Sequence, residues 1–150
     1  MACLTSLIVS TAHAEVVATQ IVEKEIVQTG ANGAINVARV SAEKVSPGEE
    51  VIYTLNFENR DDRAAEDIVL VMPVPAEIIY LEGSIVGDGA TASFSADGGQ
   101  TYLNRGRLTV IENGAVRPAR GNEITHIKWT LTQALAPRAT GVVSYRGILK

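Results

Sequence analysis

Cysteine is nearly absent from this chain of 150 residues, with Cys3 the single example. One thiol makes no intrachain disulfide and no multi-cysteine zinc site. Histidine is limited to His13 and His126, and aromatic residues make up 5% of the chain, too few for a row of stacking platforms along a single strand of nucleic acid. No cluster of basic residues occurs, and the net charge is −4, so the cationic surface that releases counterions from phosphates is missing and nucleic acid is excluded as a partner. No apolar run past the N-terminus approaches 18 residues, which excludes a transmembrane helix there. Phosphate cradles of the G-x-x-x-x-G-K-[ST] or G-x-G-x-x-G type and the G-x-S-x-G nucleophile elbow are also lacking. What is left is ordinary globular material, 46% hydrophobic and 20% charged, enough for one domain with its own core.

The first fourteen residues, MACLTSLIVSTAHA, read as a signal peptide. A short apolar stretch ends in Ala12-His13-Ala14, an A-x-A cleavage pattern before Glu15. The Lys or Arg usual at the front is missing, which points to a truncated or misplaced start. Cys3 lies in this segment, so the mature chain carries no cysteine and cysteine catalysis is excluded with it. An exported location follows as an expectation.

From Glu15 onward, short β-type runs alternate with turns. Glu15–Val27 has seven β-branched residues among thirteen, whose stiff side chains suit a pleated surface. A helical stripe of Ala18, Ile21, Val22 and Ile26 is the competing reading. Thr29–Gly33 breaks the run, and Ile35, Val37 and Arg39 then alternate with Asn36, Ala38 and Val40. After the Pro47-Gly48 turn, Val51, Tyr53, Leu55 and Phe57 alternate with Thr54, Asn56 and Glu58, the period-two signature of a half-buried strand. Ile68–Met72 is a continuous apolar run closed by Pro73 and Pro75. Asp97-Gly98-Gly99 reads as a turn and Asn113-Gly114 as a hairpin. Ile127, Trp129 and Leu131 alternate again. This spacing predicts an all-β sandwich of about seven to nine strands over residues 35–150, preceded by a strand-like extension over residues 15–34.

The stretch VSPGEEVIYTLNFENRDDRAAEDIVLVMPVPAEIIYLEGS, residues 45–84, resembles the DUF11 domain, a repeat found in many bacterial and archaeal surface proteins. The likeness rests on Pro47-Gly48, Tyr53-Thr54, the turn from Asn59 to Ala65, the strand Ile68–Pro73, and Ile79–Ser84. It continues in IKWTLTQALAPRATGVVSYRG, where Trp129, Leu135, Ala136 and Pro137 match. Two positions depart: Met72 stands where Asp or Thr is common, and Arg138 stands where Gly is usual. The resemblance implies an Ig-like sandwich and an exported setting, and its motifs concern turns and core positions rather than chemistry.

Residues with reactive side chains form no constellation. His126 alternates with Ile127 and Trp129 and is expected outward beside Lys128, without the positioned partner that general-base work requires. Asp61, Asp62, Glu66 and Asp67 form an acidic loop with Arg60 and Arg63 between them; it lacks EF-hand spacing and reads as a solvated turn, with calcium left open. Trp129, Tyr53, Phe57 and Tyr145 are expected in the core rather than on a sugar. An isopeptide staple would need a buried Lys, and Lys44 and Lys128 are the candidates. No catalytic, cofactor-binding or metal residue is assigned. The expected role is therefore an exported, non-enzymatic, structural or surface-assembly protein. Glu15–Val27 either folds back at Gly30–Gly33 onto its own sheet or adds as a strand to a copy of itself or another surface protein, building a filament. A monomeric exported module binding glycans or cell-wall components is the alternative.

Overall fold

A computed structural model describes residues 14–150. The signal-peptide reading, Ala14 apart, lies outside the described residues. The described residues form ten strands: β1 (Val16–Thr29), β2 (Ile35–Ser41), β3 (Glu50–Asn59), β4 (Val69–Pro73), β5 (Ile78–Tyr80), β6 (Ala90–Ser95), β7 (Thr109–Glu112), β8 (Ala115–Pro118), β9 (His126–Leu131) and β10 (Thr140–Leu149). They form a five-stranded sheet in the order β2-β1-β3-β10-β5, a three-stranded sheet β4-β9-β6, and a two-stranded ribbon β7-β8. Every pairing is antiparallel.

The two larger sheets enclose one core, as a sandwich does. From the first sheet come Val51, Tyr53, Leu55 and Phe57 of β3, Val143 and Tyr145 of β10, and Ile78 and Tyr80 of β5. From the second come Leu70 and Met72 of β4, Ile127 and Trp129 of β9, and Phe94 of β6. The alternation read from the sequence is thus the core face in both sheets, and Trp129 is fully buried. Leu131 is partly buried against the same cluster. Tyr53 and Tyr145 stack at 4.9 Å between centroids, and the Tyr145 hydroxyl donates to the Pro73 carbonyl at 2.9 Å, tying the sheets together across the core. Burial raises the Tyr145 pKa, chiefly because a phenolate there would lack solvation. Gly141 must be glycine, because a Cβ there would run into the Phe57 ring.

The turns follow their residues. Asn113 and Gly114 both take positive φ, +52° and +79°, as a tight hairpin between β7 and β8 requires. Gly98 and Gly99 do so in the turn after β6. Arg138 has φ +60°, so the position where the resembled family has Gly keeps the left-handed backbone that favours Gly.

Residues 16–29 are strand, not helix. The segment does fold back: Gly30 donates to the Ala34 carbonyl at 2.8 Å, and β1 pairs with β2 and with β3. The expected boundary between residues 34 and 35 therefore falls inside a hairpin. β2 reaches the sheet only through β1, and β1 is itself a member of the sheet. One further difference concerns the outer face of β3. Thr54 was expected outward, and although it points away from the core it is buried, as is Ile52 on the same face. Ile52 lies under an ionic cluster that also involves β1 and β10.

Candidate functional site

β1 is 14 residues long, about 46 Å at some 3.3 Å per residue. β3 pairs with Val16–Glu23 and β2 with Glu23–Thr29, so Glu23 alone has a neighbour on both sides. In an extended strand, successive residues turn their N–H and C=O groups to opposite edges. The Arg60 N–H donates to the Glu15 carbonyl at 2.8 Å, which puts the odd-numbered groups toward β3. The Ala42 N–H donates to the Val22 carbonyl at 3.0 Å, which puts the even-numbered groups toward β2. Beyond the end of β2, the main-chain groups of Val16, Ala18 and Gln20 therefore face an edge with no strand on it among the described residues. The segment Val16–Val22, VVATQIV, has no charge and no proline. Edges exposed to solvent are normally guarded by such residues.

Inside this edge lies a slot of about 480 Å³ between the two sheets, lined by Ala14, Val16, Ala64, Ala65, Glu66, Asp67 and Ile68. The β1–β2 hairpin projects past it as an arm. Its outward face carries three exposed apolar side chains among charged and polar ones: Val27 is 69% exposed, Ile35 74% and Val37 63%. The outer face of the sheet carries a shallower groove of about 540 Å³ whose lining includes Thr19, Asn56, Glu58, Arg60 and Thr140.

The root of the arm is held by charge. Lys24 meets Glu49 at 3.2 Å, and Arg146 reaches Glu25 at 2.9 Å and Glu50 at 2.7 Å. Arg39 of β2 also approaches Glu25 at 3.5 Å. The hydrogen bond from Arg146 lowers the Glu25 pKa, and the Ser46 N–H, followed by Lys24, lowers that of Glu49.

The residues singled out from sequence do not converge. His126 is half-buried, with Nδ1 3.2 Å from the Thr125 hydroxyl. Lys128, on the same face, lies 4.3 Å over the Tyr102 ring, and Lys44 is exposed, so neither is a buried staple lysine. The acidic loop is divided. Asp61 pairs with Arg63 at 3.3 Å and Asp62 with Arg138 at 2.8 Å, while Glu66 and Asp67 line the slot. The Arg63 hydrogen bond lowers the Asp61 pKa. Among the described residues, no group of three or more His, Cys, Asp or Glu side chains is placed to hold a metal ion. Tyr53, Phe57, Trp129 and Tyr145 are all in the core.

Sequence reasoning missed one polar residue entirely. Asn59, read only as part of a turn, is fully buried. Its Nδ2 donates to the carbonyls of Arg63, Leu135 and Ala136, and its Oδ1 accepts from the Asp61 N–H at 3.0 Å. It pins the loop after β3 to the turn before β10, beside the slot. The open edge was missed as well, because its two half-length pairings depend on distant strands. The only local signal was a β-branched run without charge. No family model, no curated protein and no solved structure matches the chain.

Proposed function

We propose that this protein is an exported, non-enzymatic sandwich that serves as a building block of a cell-surface structure and joins copies of itself by β-strand addition at its N-terminal hairpin. The observation that carries this reading is the open, uncharged edge of β1 at Val16–Ile21, beside a projecting arm with exposed apolar side chains. An edge of that kind gains main-chain hydrogen bonds and register from an added strand. The resemblance to DUF11 domains and the Ala12-His13-Ala14 cleavage pattern are the grounds for an exported location. Fractionation of producing cells, followed by negative-stain electron microscopy of the protein recovered outside the cytoplasm, tests it. Assemblies at the surface are expected; protein confined to the cytoplasm would refute the reading. The groove across Thr19, Asn56 and Thr140, where polar groups lie beside Val17, Phe57 and Val142, favours a second reading, a solitary exported module for glycans or cell-wall components. Dispersed single copies that bind wall polysaccharide would select it.

A further inference from the structure

The open edge has a length and a side, and together they specify the partner. β1 has 14 residues; β2 covers the seven from Glu23 to Thr29 and Ala42 takes the place beside Val22, leaving six, Val16–Ile21. β2 is itself seven residues long. The notch is therefore one residue shorter than the strand beside it. Both edges also face the same way. The main-chain groups of β2 that do not face β1 are the odd-numbered ones, Ile35, Val37 and Arg39, because Gly30 with Ala34 and Val22 with Ala42 fix the even-numbered set toward β1.

Resting on the self-assembling reading above, we infer that two copies interlock about a two-fold axis perpendicular to the sheet, each laying its β2 into the notch of the other. An isologous contact of this kind is closed, with the same patch used on both sides. The central row of the joined sheet holds the two β2 strands end to end, with a β1 strand on either side. The incoming β2 runs parallel to the β1 that receives it. It turns the outward groups of Val37, Arg39 and Ser41 toward those of Val16, Ala18 and Gln20. The two halves together supply about ten main-chain hydrogen bonds, the number in a standard interface.

Side chains agree with this placement. On the inner face, Ala38 and Val40 of the second copy lie over the slot beside Val16. On the outer face, Val37 joins Val17 as a cross-strand apolar neighbour. The only charged residue of β2 is Arg39, beside Glu25 on the outer face; Glu15, on the same face at the notch, has no ion pair among the described residues. That difference in sign favours β2 over a second acidic edge. A head-to-tail joint would instead use the opposite side of β1, at Glu25, Val27 and Thr29. Its root is occupied by the Lys24–Glu49 and Glu25–Arg146 pairs.

Light scattering on the eluting full-length protein tests the joint. The unaltered chain is compared with Ala18→Pro and Val37→Pro. Each proline removes an N–H that points to the joint and none that pairs within the chain, and proline is tolerated at such edge positions. A third variant, Ala38→Glu, keeps every main-chain group and brings a carboxylate to the acidic rim of the slot. It replaces any proline variant whose circular dichroism is not that of the unaltered chain. The expected masses are two copies for the unaltered chain and one copy for each variant. A single-copy mass for the unaltered chain overturns the joint. A two-copy mass that survives the variants places the contact elsewhere and also overturns it. Larger open assemblies that survive the variants overturn the two-fold joint but leave the self-assembling reading standing. Cell fractionation decides the surface role separately from any of these results.

Discussion

Asn59→Ala removes a side chain that makes four hydrogen bonds from a fully buried position. Each such bond contributes about 0.5–1.5 kcal/mol net, and a buried group left without a partner costs about 1–3 kcal/mol. The carbonyls of Arg63, Leu135 and Ala136 and the N–H of Asp61 lose their partner together. Water entering the vacated space satisfies some of them, so the expected loss is about 2–4 kcal/mol, a large part of the 5–15 kcal/mol typical of a domain. Asn59→Asp sharpens the test. It keeps the shape and the acceptor for Asp61, but it replaces the donating amide with a carboxylate facing three carbonyl oxygens. It should destabilise at least as much as alanine. Urea denaturation followed by tryptophan fluorescence reads the effect through Trp129. At about 2 kcal/mol per molar of urea, the midpoint should fall by about 1–2 M with the slope unchanged. A shift below about 0.3 M for alanine, or an aspartate variant as stable as the unaltered protein, would refute the reasoning.

Trp129→Ala should cost about 3–5 kcal/mol as a large-to-small change at a fully buried position, whereas His126→Ala should stay within about 0.5 kcal/mol; equal midpoints in the same denaturation series would contradict the register of β9. Arg138→Gly should stabilise by up to about 1 kcal/mol, because glycine takes φ +60° without steric cost and the pair with Asp62 is exposed. A lower melting temperature in calorimetry would contradict that. Acid should loosen the arm first. Glu25 and Glu49 have depressed pKa values in the folded state, so their contribution is present above the ordinary glutamate value of about 4.3 and is lost as pH falls through the lower folded values. Amide exchange at Asn36, Ala38 and Val40 should then accelerate before the exchange of β3 does, and simultaneous loss would count against a separate latch.

The parts of this structure written in local alternation were legible in the sequence. Val51, Tyr53, Leu55 and Phe57 announce a core face because period two is a property of one strand by itself, and Asn113-Gly114 announces a hairpin because the turn demands positive φ at both residues. Thr54 was read correctly as outward, but its burial was not read, because that depends on what lies across β3, which alternation does not encode. Asn59 reads as one more polar turn residue because two of its carbonyl partners are 76 and 77 positions away. The open edge at Val16–Ile21 is a difference between two long-range pairings, β1 with β3 and β1 with β2, and no local pattern records where one stops and the other starts. Arg138 shows the opposite case: a departure from glycine in the sequence that leaves the backbone turn as it was.

Amide hydrogen exchange along β1, measured at low and high protein concentration, tests the central claim most directly. The Val17, Thr19 and Ile21 N–H groups face β3 and should be protected at every concentration. The Val16, Ala18 and Gln20 N–H groups face the open edge. They should exchange freely in dilute protein and become protected as concentration rises and the edge is filled. Even-numbered amides that exchange as fast in concentrated as in dilute protein would contradict assembly through this edge.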